Sequence, residues 1–161
     1  MDIRSGAGYP AGNLSNFHPH PFVVDGVEIA SMEGFLQSLK FKNTDMQREI
    51  CKLVGRVAKA RGVDKAWYKE QTLYWMGVPI KRESVEYQAL LDKAYTALAQ
   101  NESFRKALLA TQNATLTHSL GQKDPKRTIL TKKEFCSRLI KLREQLQKGL
   151  PPSLSSDGEK A

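Results

Sequence analysis

The chain lacks any apolar run approaching the ~20 residues that a membrane helix requires. Its opening, Met1-Asp2-Ile3-Arg4-Ser5-Gly6, lacks the apolar centre of a secretory leader, so a cytoplasmic protein with no membrane partner is expected. Cysteine is scarce. Cys51 and Cys136 lie far apart, form no Cys-x-x-Cys pair and fall in stretches that read as helix, where cysteine behaves as a small buried hydrophobe. There is no Gly-rich phosphate loop, no His-Glu-x-x-His and no paired cysteine ligand set, which excludes the common phosphate-loop and zinc motifs. His18 and His20 flank a proline, and an extended chain would aim both to one side, but two ligands without a third make a poor zinc site. No metal and no cofactor are expected.

Acidic residues are also the minority, 17 against 25 Lys and Arg, which gives a net charge of +8. A positive field draws phosphates, whether on nucleotides, nucleic acid or an anionic surface. The cations are nonetheless scattered, as on an ordinary solvated surface.

What is present reads as one α+β domain, mainly α-helical, over residues 1–148, with a disordered tail over 149–161. Phe22-Val23-Val24 and Val27-Glu28-Ile29 flank Asp25-Gly26, a strong signal for a tight hairpin, and supply a small N-terminal sheet. Ser31 can cap a helix running to about Phe41, with Met32, Phe35, Leu36 and Leu39 at helical spacing. Thr44 and Gln47 suggest a capping box, Gly62 a helix stop, and Ser84 the start of a longer helix through Leu98. A shorter helix is expected over Phe104 to Leu109. Thr131 to Glu134 is a second capping box, ahead of the apolar stripe Phe135, Leu139, Leu142 and Leu146.

Within the first of these helices Glu33, Gln37 and Lys40 sit at i, i+4 and i+7 and share a face. Glu33 lies in the first turn, where the helix dipole favours an ionised carboxylate. From spacing alone this acid–amide–amine line also fits an exposed ion-pair face. Trp67, Tyr68, Tyr74 and Trp75 form an aromatic cluster suited to the core or to stacking on a base.

The order of these pieces resembles the NADAR, or YbiA-like, superfamily. Asn13-Leu14-Ser15-Asn16-Phe17-His18-Pro19-His20-Pro21-Phe22 is similar to its Leu-Ser-Asn-Phe-x-Pro-x-Pro-Phe opening, followed by Asp25-Gly26. Glu33, Phe35, Gln37, Lys40 and Phe41 match its Ser-x-Glu-His-Tyr-x-Gln-x-x-Lys-Phe stretch. Asn101 to Thr111 and Leu139 to Leu146 resemble its later helices, so the likeness covers about residues 3–147. Two departures stand out. Gly34 replaces the histidine after the glutamate, and residues 121–130 replace the family's Asp-x-x-Trp-Gly-x-Gly loop, with Asp124 as the matching acid.

The resemblance implies a compact α-rich fold that takes a ribose-phosphate or ADP-ribose-like ligand and cleaves an N-glycosidic bond without a metal. The substrates it suggests are riboflavin-pathway intermediates or ADP-ribosylated guanine in nucleic acid. It assigns catalysis to Glu33, Lys40 and Asp124, and substrate binding to Asn16, Phe17, Gln37 and Trp75, with Trp75 stacking on the base. Glu33 would stabilise positive charge at the anomeric carbon. A binding module that has lost catalysis is the alternative, and a basic nucleic-acid-binding domain a third.

Overall fold

A computed structural model describes residues 1–154. Its element order is β1 (Phe22–Val24), β2 (Val27–Ile29), α1 (Met32–Ser38), α2 (Thr44–Cys51), α3 (Gly55–Gly62), β3 (Thr72–Trp75), β4 (Val78–Lys81), α4 (Val85–Leu98), α5 (Glu102–Ala110) and α6 (Lys132–Gln147). The chain is thus α+β and mainly helical, with two small antiparallel hairpins among the described residues. No described helix is long and apolar enough to cross a membrane.

The first hairpin forms as its turn chemistry demands. Asp25 and Gly26 both take positive φ, and the register pairs Phe22 with Ile29 and Val24 with Val27, sending all four side chains inward. Trp75 Nε1 donates to Asp25 Oδ2 at 2.8 Å and Lys93 Nζ to Oδ1 at 3.1 Å, pinning the turn to β3 and α4.

Against the first hairpin lies α1, which also packs on α2 and α3. Ser31 caps it, accepting from the Gly34 amide at 3.1 Å while donating to the Leu53 carbonyl at 2.9 Å. That approach explains Gly34. A Cβ there would stand 2.5 Å from the Leu53 carbonyl oxygen and 3.0 Å from that of Ile50, so a histidine would push α2 away. The helix ends at Ser38, earlier than the expected Phe41. The amides of Leu39, Lys40 and Phe41 bond three residues back, so Lys40 rides on a tightened final turn.

Two other boundaries move. Asn43, not Thr44, caps α2, because its side chain accepts from the Met46 amide at 3.0 Å. Gln47 is therefore free of the cap; it donates to the carbonyls of Ser38 and Tyr74 and accepts from the Met76 amide, bridging α1, α2 and the second hairpin. Asn101 caps α5, which starts at Glu102, ahead of the expected Phe104.

The core runs between α1, α4, α5 and α6, with Phe35, Leu39, Tyr87, Leu91, Tyr95, Phe104, Phe135 and Leu139 all essentially inaccessible to solvent. Burying each such apolar side chain stabilises the fold by roughly 1.5–3 kcal/mol. After α6 the segment expected to begin a tail folds back. Ser153 exchanges two hydrogen bonds with Gln145, the Leu154 amide donates to Thr96 Oγ1 at 3.0 Å, and the Leu154 side chain is buried. The packed chain therefore reaches Leu154, and the rest of the expected tail lies outside the described residues.

Candidate active site

A cleft of about 340 Å³ opens where α1, the Leu-Ser-Asn-Phe loop, the end of α3 and the 121–130 segment meet. That volume lies at the lower end of the range for small-ligand sites. Its floor is the line expected from α1, with Glu33, Gln37 and Lys40 all facing it. Asn16 and Phe17 join from the loop before β1.

The loop is tied to the helix by named bonds. The Glu33 amide donates to the Asn16 carbonyl at 2.9 Å. Behind Asn16, the fully buried Tyr95 hydroxyl donates to Asn16 Oδ1 at 2.9 Å. Burial pushes the Tyr95 phenol well above its ordinary range, so it stays a donor. Asn16, which lines the cleft, keeps its amide NH2 group as its remaining side-chain donor.

Glu33 is buried, and its side chain accepts from Gln37 Nε2 at 3.2 Å. Burial raises its carboxyl above the ordinary carboxylate value; the Gln37 hydrogen bond and the charges of Lys59, Lys40 and His118 oppose this without cancelling it. The dipole argument thus has the wrong sign for the net result, because desolvation outweighs it. Lys40 shifts the other way: burial lowers its ammonium, Glu33 works against that, and Lys59 adds to it. Its Nζ donates to the Gly62 carbonyl at 3.2 Å, which docks α3 against α1. Gln37 Oε1 is buried with no hydrogen-bond partner.

Two expected residues are elsewhere. Trp75 faces away from the cleft: its indole is buried, its ring lies edge-on to Phe35 at 5.1 Å, and its N–H is spent on Asp25. The inward alternation of β3 puts it in the core, so it cannot stack on a ligand in this cleft. Asp124 is exposed and does not line the cleft. Its Oδ1 accepts from the Lys126 amide at 3.0 Å and its carbonyl from the amides of Arg127 and Thr128, so it organises its own turn.

Other cleft residues escaped the sequence reading. Of the aromatic cluster Trp67, Tyr68, Tyr74 and Trp75, it is half-buried Trp67 that lines the cleft. His118 also lines it, with Nδ1 2.7 Å from the Ile3 carbonyl. Since that oxygen can only accept, Nδ1 carries the hydrogen. Arg4, Lys59 and Arg127 complete a set of four cationic lining residues with Lys40, against one carboxylate, Glu33. These residues are contributed singly by separate segments, so sequence spacing carried no signal for them. His20 has a structural role, with both ring nitrogens in short contacts to Ser103 Oγ and the Asn13 carbonyl. Neither thiol is activated: burial pushes Cys51 up to about 11 and also raises Cys136.

Comparison with known proteins gives three matches. The profile of a family described as bacteriophage protein GP30.3 matches residues 8–144. A 17.1 kDa uncharacterized protein from the Gp30-rIII intergenic region of enterobacteria phage T4 is 42% identical over 151 residues, covering 91% of this chain and 98% of that one. The NMR structure of the Escherichia coli protein YbiA aligns at a TM-score of 0.59 and 25% identity, covering 92% of this chain and 85% of YbiA.

Proposed function

Because the chain belongs to the bacteriophage protein GP30.3 family, a NADAR-type family with a YbiA-like fold, we propose that it cleaves an N-glycosidic bond in a ribose-phosphate or ADP-ribose-type substrate. The observation that carries this reading is the single buried Glu33 carboxylate in a cleft whose Lys and Arg residues number four. Such cleavage builds positive charge at the anomeric carbon while the rest of the ligand carries phosphate. One carboxylate for the developing cation and several cations for the phosphate meet both demands.

In this mechanism the ionised Glu33 faces the anomeric carbon and takes a proton from the attacking water, whose hydroxyl bonds to that carbon. The glycosidic C–N bond breaks with its electron pair leaving on the base nitrogen, which takes a proton from solvent, and Glu33 then releases to solvent the proton it gained. A carboxyl raised towards neutrality is suited to accepting and returning protons. Asn16 and Gln37 hold ribose hydroxyls, Lys40 fixes a ribose or phosphate oxygen, and Trp67 supplies the stacking surface that Trp75 does not. The substrate is a modified nucleic-acid base or a free phosphorylated glycoside.

A panel of N-glycosides assayed for base release tests this directly. Glu33→Gln should keep ligand affinity within about tenfold and lower turnover at least ~100-fold, since lost transition-state electrostatics costs ~2.7–4 kcal/mol. Wild-type turnover in that variant would remove Glu33 from catalysis. A binding module without catalysis is the second reading, favoured by the placement of Asp124 outside the cleft. Ligand retention without base release across the panel would select it.

A further inference from the structure

The segment 121–130, where the chain departs most from its superfamily, is held with unusual economy. Gln71 Nε2 donates to the Lys126 carbonyl at 2.8 Å, Arg82 Nε to that of Thr128 at 2.8 Å, and the Tyr87 hydroxyl to that of Ile129 at 2.6 Å. Arg82 is itself locked, 1% exposed, with its two terminal nitrogens 3.0 and 2.6 Å from the Glu134 carboxylate. Within the segment, Pro125 restricts the backbone and Asp124 accepts from the amides of Lys126, Arg127 and Thr128. Three carbonyls are therefore fixed from outside and the turn from inside. The Arg127 side chain, between two of these anchors, lines the cleft and has no ion-pair or hydrogen-bond partner among the described residues.

The four Lys and Arg residues of the cleft, Arg4, Lys40, Lys59 and Arg127, come from separate segments of the chain. The charges that act most on Glu33 come from Lys59, Lys40 and His118. Arg127 and Arg4 line the same cleft outside that group. A guanidinium on a rigid backbone is the side chain best matched to a bidentate phosphate, and its fixed base reduces the ordering cost of binding.

We propose that the 121–130 segment is a preset anion-binding arm whose Arg127 guanidinium reads a phosphate or diphosphate remote from the scissile bond, with Gln71 as a positioning residue. It rests on the cleft being the substrate site, and it assigns recognition of the substrate's anion to a named side chain. The order of roles is specific. Arg127 touches the ligand, whereas Gln71, whose Nε2 donates to the carbonyls of Lys126 and Tyr68, acts through the backbone.

Calorimetric titration of ADP-ribose into the whole protein tests it without requiring turnover. Arg127→Ala should weaken binding at least about tenfold, the loss expected for a charged hydrogen-bonded contact, and Arg127→Lys should recover part of it. Gln71→Ala should weaken binding severalfold, and adding it to Arg127→Ala should cost nothing further, since both act through one contact. Additive losses would make Gln71 merely structural and sink its positioning role. Wild-type affinity in Arg127→Ala, or no ADP-ribose binding by the wild type, would overturn the arm. These outcomes differ from failure of the cleavage reading, which appears as absent base release while the Arg127 effect on binding persists.

Discussion

Glu33 and Glu134 occupy almost the same place in two different helices. Each stands in a first turn behind a hydroxyl cap, Ser31 for α1 and Thr131 for α6, and each has cations nearby. Their carboxyls move in opposite directions. Burial raises Glu33, and a neutral amide with more distant charges fails to offset it. Burial acts on Glu134 too, but the Arg82 guanidinium, the Thr131 amide and Gln88 outweigh it and leave the carboxyl lowered. The difference lies in direct donors. Glu134 takes an Arg82 fork at 2.6 and 3.0 Å, its own cap amide at 2.8 Å and Gln88 at 2.7 Å. Glu33 takes Gln37 at 3.2 Å. One glutamate is spent on holding the fold, and the other is left underused in the floor of a cleft.

Breaking the satisfied side of this comparison should have the largest effect. Glu134→Ala strands Arg82 in the core, for about 3–5 kcal/mol, and removes half of the capping box, for about 0.5–2 kcal/mol more. Chemical denaturation would show a large drop in midpoint. Because the Glu134 carboxyl is lower in the folded than in the unfolded chain, its contribution is present above the ordinary carboxylate range and lost as pH falls through its folded value.

The two tryptophans offer a second break. Trp75→Ala should cost about 3–5 kcal/mol through the cavity it leaves. Trp67→Ala should cost much less stability yet weaken ADP-ribose affinity by about 1–3 kcal/mol, the range for a lost stacking surface. Equal losses of affinity from both substitutions would put the aromatic contact back on β3.

The smallest effect carries the opposite sign. Glu33→Gln should raise the melting temperature at neutral pH, since it removes a buried charge while preserving shape. A carboxyl raised in the folded state contributes stability below its unfolded value and loses it as pH rises through the folded one. The advantage of the variant should therefore shrink in acid. A variant that is less stable than wild type at neutral pH would show that Glu33 is as well satisfied as Glu134.

Local chemistry made much of the fold legible. Asp25-Gly26 specified the first hairpin, and Ser31, Ser84 and Thr131 each cap the helix expected of them. The second hairpin was missed because its turn is Met76-Gly77, with φ of 52° and 83°, and methionine is not a usual residue at such a position. That omission also misplaced Trp75, which belongs to the buried alternation of β3. For the cleft, Glu33, Gln37 and Lys40 were readable because one helix sets their spacing, and Asn16 and Phe17 because they lie in a recognisable motif. Arg4, Lys59, His118 and Arg127 come together only through tertiary packing. Asp124 shows the limit of collinear matching: its segment keeps an acid at the matching position and turns it to a different use.

The opposed fates of the two glutamates can be read directly by following their side-chain carboxyl resonances by NMR as pH is changed. Glu33 should titrate above the ordinary glutamate value of 4.5 and Glu134 below it. Adding ADP-ribose should move the Glu33 midpoint and leave that of Glu134 in place. If Glu33 instead titrates at or below 4.5, or both carboxyls respond alike, the account of an underused carboxylate in the cleft is contradicted.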